Sequence, residues 1–507
     1  MDDDTQDETV TRLLERAQFY RGCGLPDDAL RFAREAEALA PDDLRVRQFL
    51  DSTAPKREPR VHKISPRKAA AATDSDSLAA SFAEARRARD WRAAAAAAQE
   101  LVDAHPDDPR AWSSLASALR RTCDFDAAIS AHDRACALVD GDPAYAQARA
   151  KTLWEAGRYN EADSAYSDLI AGVEEGSSLY ADLMMSRAMI RMTTQGPAAG
   201  VDDYEWRWQA GEIMLPDIPQ PYWDGAPQPD KRVLFFGEQG FGDAIHFARY
   251  VPLIGVQCAK VVLPCKEPLK RLMQSLGDTV EVCDQMIARD SFDFFVPAMS
   301  AMRLLGAAEQ DLPADVPYLA AQTEDLQRLR PKIAGHSGLR IGIAWTGSPT
   351  NAHDWKRAIP PAVFRPIVDR PDTVVFNLQK VRDETPPDLC NPPEGTIDIT
   401  ADLADFADTA AAIECLDLVI TADTSVAHLA GALGKPVWVL LSKVPDWRWM
   451  TDRDDSPWYP TMRLYRQREF GDWPEVMGRI LADLSGFKPP ATQLKKRGLT
   501  RLLPWRR

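Results

Sequence analysis

Residues 417–441 read DLVITADTSVAHLAGALGKPVWVLL. A short apolar run ends at Thr421, Ala422 and Asp423, and Thr424 and Ser425 then open a helical pattern that carries to about Leu433. Gly434 is placed to close that helix, Pro436 prevents its continuation, and a second apolar run follows to Leu441. Strand, helix and strand in so short a span form a βαβ unit, which belongs to a parallel sheet. The same alternation extends to both sides. Strands are expected at 232–236, 260–263, 279–283 and 292–296, and again at 340–345, 373–378, 417–421, 436–441 and 462–465. Residues 325–338 bridge the two series, which predicts two parallel-sheet halves facing one another across a cleft.

Upstream the pattern changes. The first 215 residues are alanine-rich with helical periodicity, and a 34-residue frame fits them. It places Ala17, Tyr20, Ala29, Ala36 and Pro41 in 10–43, then Ala94, Ala98 and Pro106 in 75–108. In 109–142 it places Trp112, Leu115, Ala116, Ala128 and Ala135, and in 143–176 Ala150, Ala162 and Tyr166. A weaker unit at 181–214 offers Ala188, Gly200 and Tyr204. Short side chains at fixed positions let paired helices approach closely, and the frame resembles tetratricopeptide repeats, whose stacked hairpins bind polypeptide in a groove. A helical spacer without a ligand is the alternative. The expected order is a first hairpin (1–50), a flexible linker (51–77), a repeat solenoid (78–214), two α/β halves (232–325 and 335–485) and a basic tail (491–507).

Bulk properties exclude some classes. The 507 residues carry a net charge of -15, which argues against a protein that binds nucleic acid by neutralising phosphates. No apolar run approaches the ~20 residues that span a bilayer, and the acidic start MDDDTQDETV is not a secretory signal. Eight cysteines form no Cys-x-x-Cys pair and no Cys/His cluster, the pattern of reduced thiols in a cytoplasmic protein without structural zinc.

Three loops carry candidate chemistry. After the strand at 417–421, a helix starting at Thr424 and Ser425 offers free amides and a partial positive charge, a seat for a diphosphate. The plain alternative is that Asp423 and Thr424 merely cap that helix and His428 is a core residue. The second loop is AWTGSPTNAHDWKRAI (344–359), with Thr346, Gly347, Lys356 and Arg357. The third lies in VLFFGEQGFGDAIHFARY (233–250), where Gln239, Gly240, Gly242 and Asp243 follow a strand. Its spacing G-x-x-G-x-G-D departs from the G-x-G-x-x-G of dinucleotide sites. Trp447, Trp449, Trp458 and Tyr459 read as packing residues in preference to cleft-lining ones.

Together DTSVAHLAGALGKPVWVL and GEQGFGDAIHFARYVPL resemble bacterial glycosyltransferase family 9, the heptosyltransferase-like enzymes. PDWRWMTDRDDSPWYPTMRLYRQ is similar to a variant of that family fused behind tetratricopeptide repeats, and the resemblance spans about 233–480. It implies a repeat solenoid followed by a GT-B fold of two Rossmann-like domains. It also implies inverting transfer from a nucleotide-sugar substrate, with no cofactor and no catalytic metal. Asp243 takes the place of the general base, with Gln239, Gly240 and Gly242 shaping the acceptor loop. Asp423, Thr424, Ser425 and His428 match the donor-binding element, joined by Thr346, Gly347 and either Lys356 or Arg357. A protein docked by the repeats is the expected acceptor, flagellin being one candidate. A lipopolysaccharide or surface-polysaccharide acceptor stays open, as does a repeat scaffold whose transferase half is inactive. A nucleotide-sugar epimerase shares the two-domain fold but has no use for a partner-binding solenoid.

Overall fold

The computed structural model describes residues 72–489 except 140, 211–217, 239, 285–287, 289, 307–311 and 349–353; before residue 72 it describes only 10, 14, 33, 34, 36, 40 and 44–53. Gln239, the basic tail, most of the 51–77 linker and Ala17, Tyr20, Ala29 and Pro41 of the first hairpin therefore lie outside the described residues. The chain divides into two compact units. One is helical and drawn from residues before 215; the other is α/β and is drawn from later residues together with Gly196–Val201.

In the helical unit the hairpin pattern repeats every 34 residues. Helices Ala72–Arg87 and Trp91–Ala104 are followed by Pro109–Arg121 with Phe125–Ala137, and by Pro143–Glu155 with Tyr159–Ala171. Proline stands at the first turn of two of these helices, where its missing N–H costs nothing, and Asp108 and Asp142 cap them by accepting from the amides of Arg110 and Ala144. Ala94, Ala128 and Ala162 occupy one repeat position and are fully buried, as close helix contact demands. In the unit at 181–214, helix Ser178–Gln195 packs against Tyr159–Ala171 and the short helix Arg207–Ala210, and the second arm is shortened: Gly196 (φ 96°), Pro197 and Gly200 divide it into the turns Pro197–Ala199 and Asp203–Trp206 before that helix. Ala188 and Tyr204 are nevertheless buried.

Two parallel sheets build the α/β unit. The first holds β1 (Gln228–Phe236), β2 (Cys258–Pro264), β3 (Val280–Cys283) and β4 (Phe294–Pro297) in the order β3-β2-β1-β4. The second holds β5 (Leu339–Ala344), β6 (Thr373–Asn377), β7 (Ile397–Asp398), β8 (Leu418–Ala422), β9 (Val437–Leu441) and β10 (Met462–Arg466) in the order β10-β9-β8-β5-β6-β7. The second sheet thus has the six-strand Rossmann order, and the first has its leading four strands. The two-residue edge strand β7 is too short to leave a period in the sequence. With the helical unit, these halves make an α plus α/β chain in which repeats precede a GT-B pair of Rossmann-like domains. The second sheet's core is a single cluster that includes Ile341, Ile343, Trp345, Ile420, Leu440 and Trp473.

Candidate functional site

In open parallel sheets, ligands bind at the carboxyl ends of strands where the strand order reverses. Here those points lie between β1 and β4 and between β5 and β8, so the three loops singled out in the sequence, after β1, β5 and β8, all sit at a reversal. Ala344 pairs with Thr421, which puts Thr346 beside Asp423 at the end of adjacent strands.

Helix Ser425–Ala432 starts as its sequence requires: the Thr424 hydroxyl accepts from the Val426 amide at 3.3 Å, and Gly434 closes the far end with φ 70°. Across from it, Asp354 organises the loop after β5. One of its carboxylate oxygens accepts the Thr346 hydroxyl at 2.9 Å; the other accepts the Gly347 amide at 3.2 Å and Arg357 Nε at 3.0 Å. Gly347 is needed there because a Cβ would lie 2.5 Å from Arg357 Nη2. Of the two candidate cations, Arg357 turns into this cluster, whereas the Lys356 ammonium lies over the Trp355 ring at 5.3 Å. Burial pushes the Asp423 carboxyl up to about 6; the Arg357 charge opposes the rise and Asp446 reinforces it.

On the other half, helix Phe241–Phe247 begins at Gly240, whose amide donates to Asp243 Oδ2 at 3.0 Å. Asp243 Oδ1 accepts from Arg448 Nη2 at 2.6 Å, and its side chain is 26% exposed, open to a substrate. Gly242 is where the halves meet: a Cβ on it would lie 3.1 Å from His428 Cδ2 and 3.7 Å from the Ser425 amide nitrogen. Beside Asp243 opens a small cleft lined mainly by apolar groups, among them Phe235, Phe247, Leu263 and Met299. Buried Glu238 braces its floor by accepting the Met299 amide at 2.9 Å.

His428 is 5% exposed, shares a hydrogen bond at 3.0 Å between its Nδ1 and the Tyr459 hydroxyl, and stacks on Trp449. The same hydroxyl meets His246 Nδ1 at 3.1 Å. Burial, joined by the charges of Arg448 and Arg249, holds both imidazoles well below their usual range and therefore neutral. Tyr459 reaches this position because its ring lies on Gly431, where a Cβ would come within 2.5 Å. Trp447, Trp449, Trp458 and Tyr459 are all buried, in keeping with their reading as packing residues. Sequence reasoning missed Arg448, Asp446, Asp354 and His246. The signal for the first was available: in Asp446-Trp447-Arg448 a helix-capping aspartate precedes an arginine set between two tryptophans.

Among the described residues, no cluster of three or more His, Cys, Asp or Glu could hold a metal ion, and no helix is long and apolar enough to cross a membrane. No protein-family model matches the chain. It is 26% identical over 427 residues to protein FlbA of Caulobacter vibrioides, covering 76% of this chain and 68% of that one. Among solved structures it is similar to the O-GlcNAc transferase of Thermobaculum terrenum (TM-score 0.32, 13% identity), over 83% of this chain and 92% of that one. It is also similar to a family 9 glycosyl transferase of Veillonella parvula (TM-score 0.36, 13% identity, 53% and 92%). A third likeness is to the ADP-heptose lipopolysaccharide heptosyltransferase II of E. coli (TM-score 0.35, 13% identity, 50% and 98%).

Proposed function

We propose that the α/β unit transfers a sugar, with inversion, from a nucleoside-diphosphate donor to an acceptor hydroxyl. The observation that carries this reading is the contact of Gly242 with Ser425, which brings the Asp243 carboxylate next to an anion-seating helix start. In the reaction the acceptor oxygen bonds to the anomeric carbon as the carbon–oxygen bond to the diphosphate breaks. The hydroxyl proton passes to Asp243, and the electron pair leaves with the diphosphate. The Ser425 amide and the Arg357 guanidinium stabilise the departing charge, with no metal ion or cofactor assigned a role. The acceptor is a protein held by the repeats, flagellin being one candidate, and the reaction belongs in the cytoplasm.

Thermal stabilisation of the full chain by UDP-, GDP-, ADP- and CMP-sugars identifies the donor. With the stabilising donor, release of the nucleoside diphosphate is expected to persist in EDTA and to fall about 10²–10⁴-fold in Asp243→Asn. Unchanged turnover in that variant removes Asp243 from the base role. Intact-mass analysis of candidate proteins incubated with chain and donor then tests the acceptor: a sugar added to protein is the expected product, and addition only to isolated glycans rejects the protein assignment.

A further inference from the structure

Arg448 stands where the two substrates of the proposed reaction would meet. Its side chain is 6% exposed and is clamped between Trp447, 4.5 Å from the ring centre, and Phe247, 5.4 Å away. Nη1 donates to Asp446 at 2.8 Å and Nη2 to Asp243 at 2.6 Å, while the buried Nε has no hydrogen-bond partner among the described residues. In a guanidinium, Nε and Nη2 form one edge of the fork, shaped for two parallel oxygens of a carboxylate or phosphate. Here that edge makes one bond, to Asp243, and its other donor is left over.

Charge gives a second argument. Arg448 and Arg357 are surrounded by four carboxylates, Asp243, Asp354, Asp423 and Asp446, and Arg448 is within electrostatic reach of His428 on the helix that begins at Ser425. Each cation is already matched, so an arriving diphosphate must draw one of them away from a carboxylate.

We propose that Arg448 is shared between Asp243 and the donor diphosphate: phosphate oxygens take the Nε–Nη2 edge, and Asp243 Oδ1, released from Nη2, turns to the acceptor hydroxyl. The inference rests on the donor seat assigned above and goes beyond it, because it makes the base competent only once the donor is bound. Arg448 is then a positioning residue for Asp243 as well as a donor contact, and the donor binds before the acceptor.

Calorimetric titration with UDP, GDP and ADP tests this without turnover. For the nucleotide that binds, Asp243→Asn frees Arg448 and is expected to tighten the dissociation constant about five- to tenfold. Arg448→Lys keeps the charge and removes the fork edge. In that background the same Asp243 substitution is expected to change affinity less than twofold, and Arg448→Lys alone lowers both nucleotide affinity and kcat. Equal tightening in both backgrounds means a plain charge effect and overturns the proposal, as does no tightening in Asp243→Asn. Binding without this coupling removes the proposal alone, whereas no binding of any nucleotide to the parent chain removes the donor seat and the proposal together.

Discussion

At the scale of single residues, the site depends on how charges are matched where water is only partly excluded. Asp423 shows the consequence. Its carboxyl is pushed up to about 6 from an ordinary 3.8 by burial, against the pull of Arg357. Below pH 4 both folded and unfolded chains hold this proton. Between pH 4 and 6 the unfolded chain releases it first, so this residue lowers stability as pH rises. Asp423→Asn is therefore expected to gain stability relative to the parent between pH 4 and pH 7, read from denaturant midpoints at the two values. A difference that does not vary with pH would show that Asp423 ionises normally. Why part of the site was legible is a local matter: Thr424 and Gly434 are capping and stopping residues whose backbone roles are written within a few positions of each other. The bond of Arg448 to Asp243 was not, since the two are 205 residues apart.

At the scale of elements, the helix Ser425–Ala432 does two jobs with its two ends. Its start is the proposed anion seat, and its small residues further along admit the Tyr459 ring over Gly431. That approach lets one hydroxyl serve His246 and His428 on helices from different halves. Tyr459→Phe leaves two buried ring nitrogens unpaired, at about 1–3 kcal/mol each. The expected loss is roughly 2–6 kcal/mol in urea unfolding; a loss below about 0.5 kcal/mol, the size of an ordinary surface substitution, would mean the histidines find other partners. Both histidines sit below the 6.5 of the free side chain. As pH falls under that value the unfolded chain takes up protons first, so their contribution is complete above pH 6.5 and is lost in acid.

At the scale of the whole molecule, the α/β halves are joined by a second charged cluster away from the site. Arg271 of the first half binds Asp405 at 2.9 Å and Asp408 at 3.3 Å in the second, and it also pairs with Asp325 of the connecting segment. Arg328 reinforces Asp408 at 2.6 Å. The helical unit is held differently, by repetition of small buried positions. Ala128→Leu puts a large side chain where none fits and is expected to cost about 1–3 kcal/mol. Helical circular dichroism during thermal unfolding would register the loss, and an unshifted transition would show that the repeat packing is loose at that position.

The sequence by itself determined the order of repeats and parallel-sheet units, the strand positions of both sheets apart from the edge strand β7, and the helix that begins at Ser425. These follow from periodicity, caps and stops, all of which act between near neighbours. It left Lys356 and Arg357 undecided, suggested a fifth hairpin without showing that Gly196 and Pro197 shorten its second arm, and cast His428 as a donor contact without showing its bond to Tyr459. Only the tertiary structure decided that Gly242 rests on Ser425, that Arg357 turns to Asp354, and that Arg448 holds Asp243. The first and last of those contacts join residues far apart in the chain, and a guanidinium's choice of carboxylate, even three residues away, is fixed by burial and by competing charges, which no local pattern records.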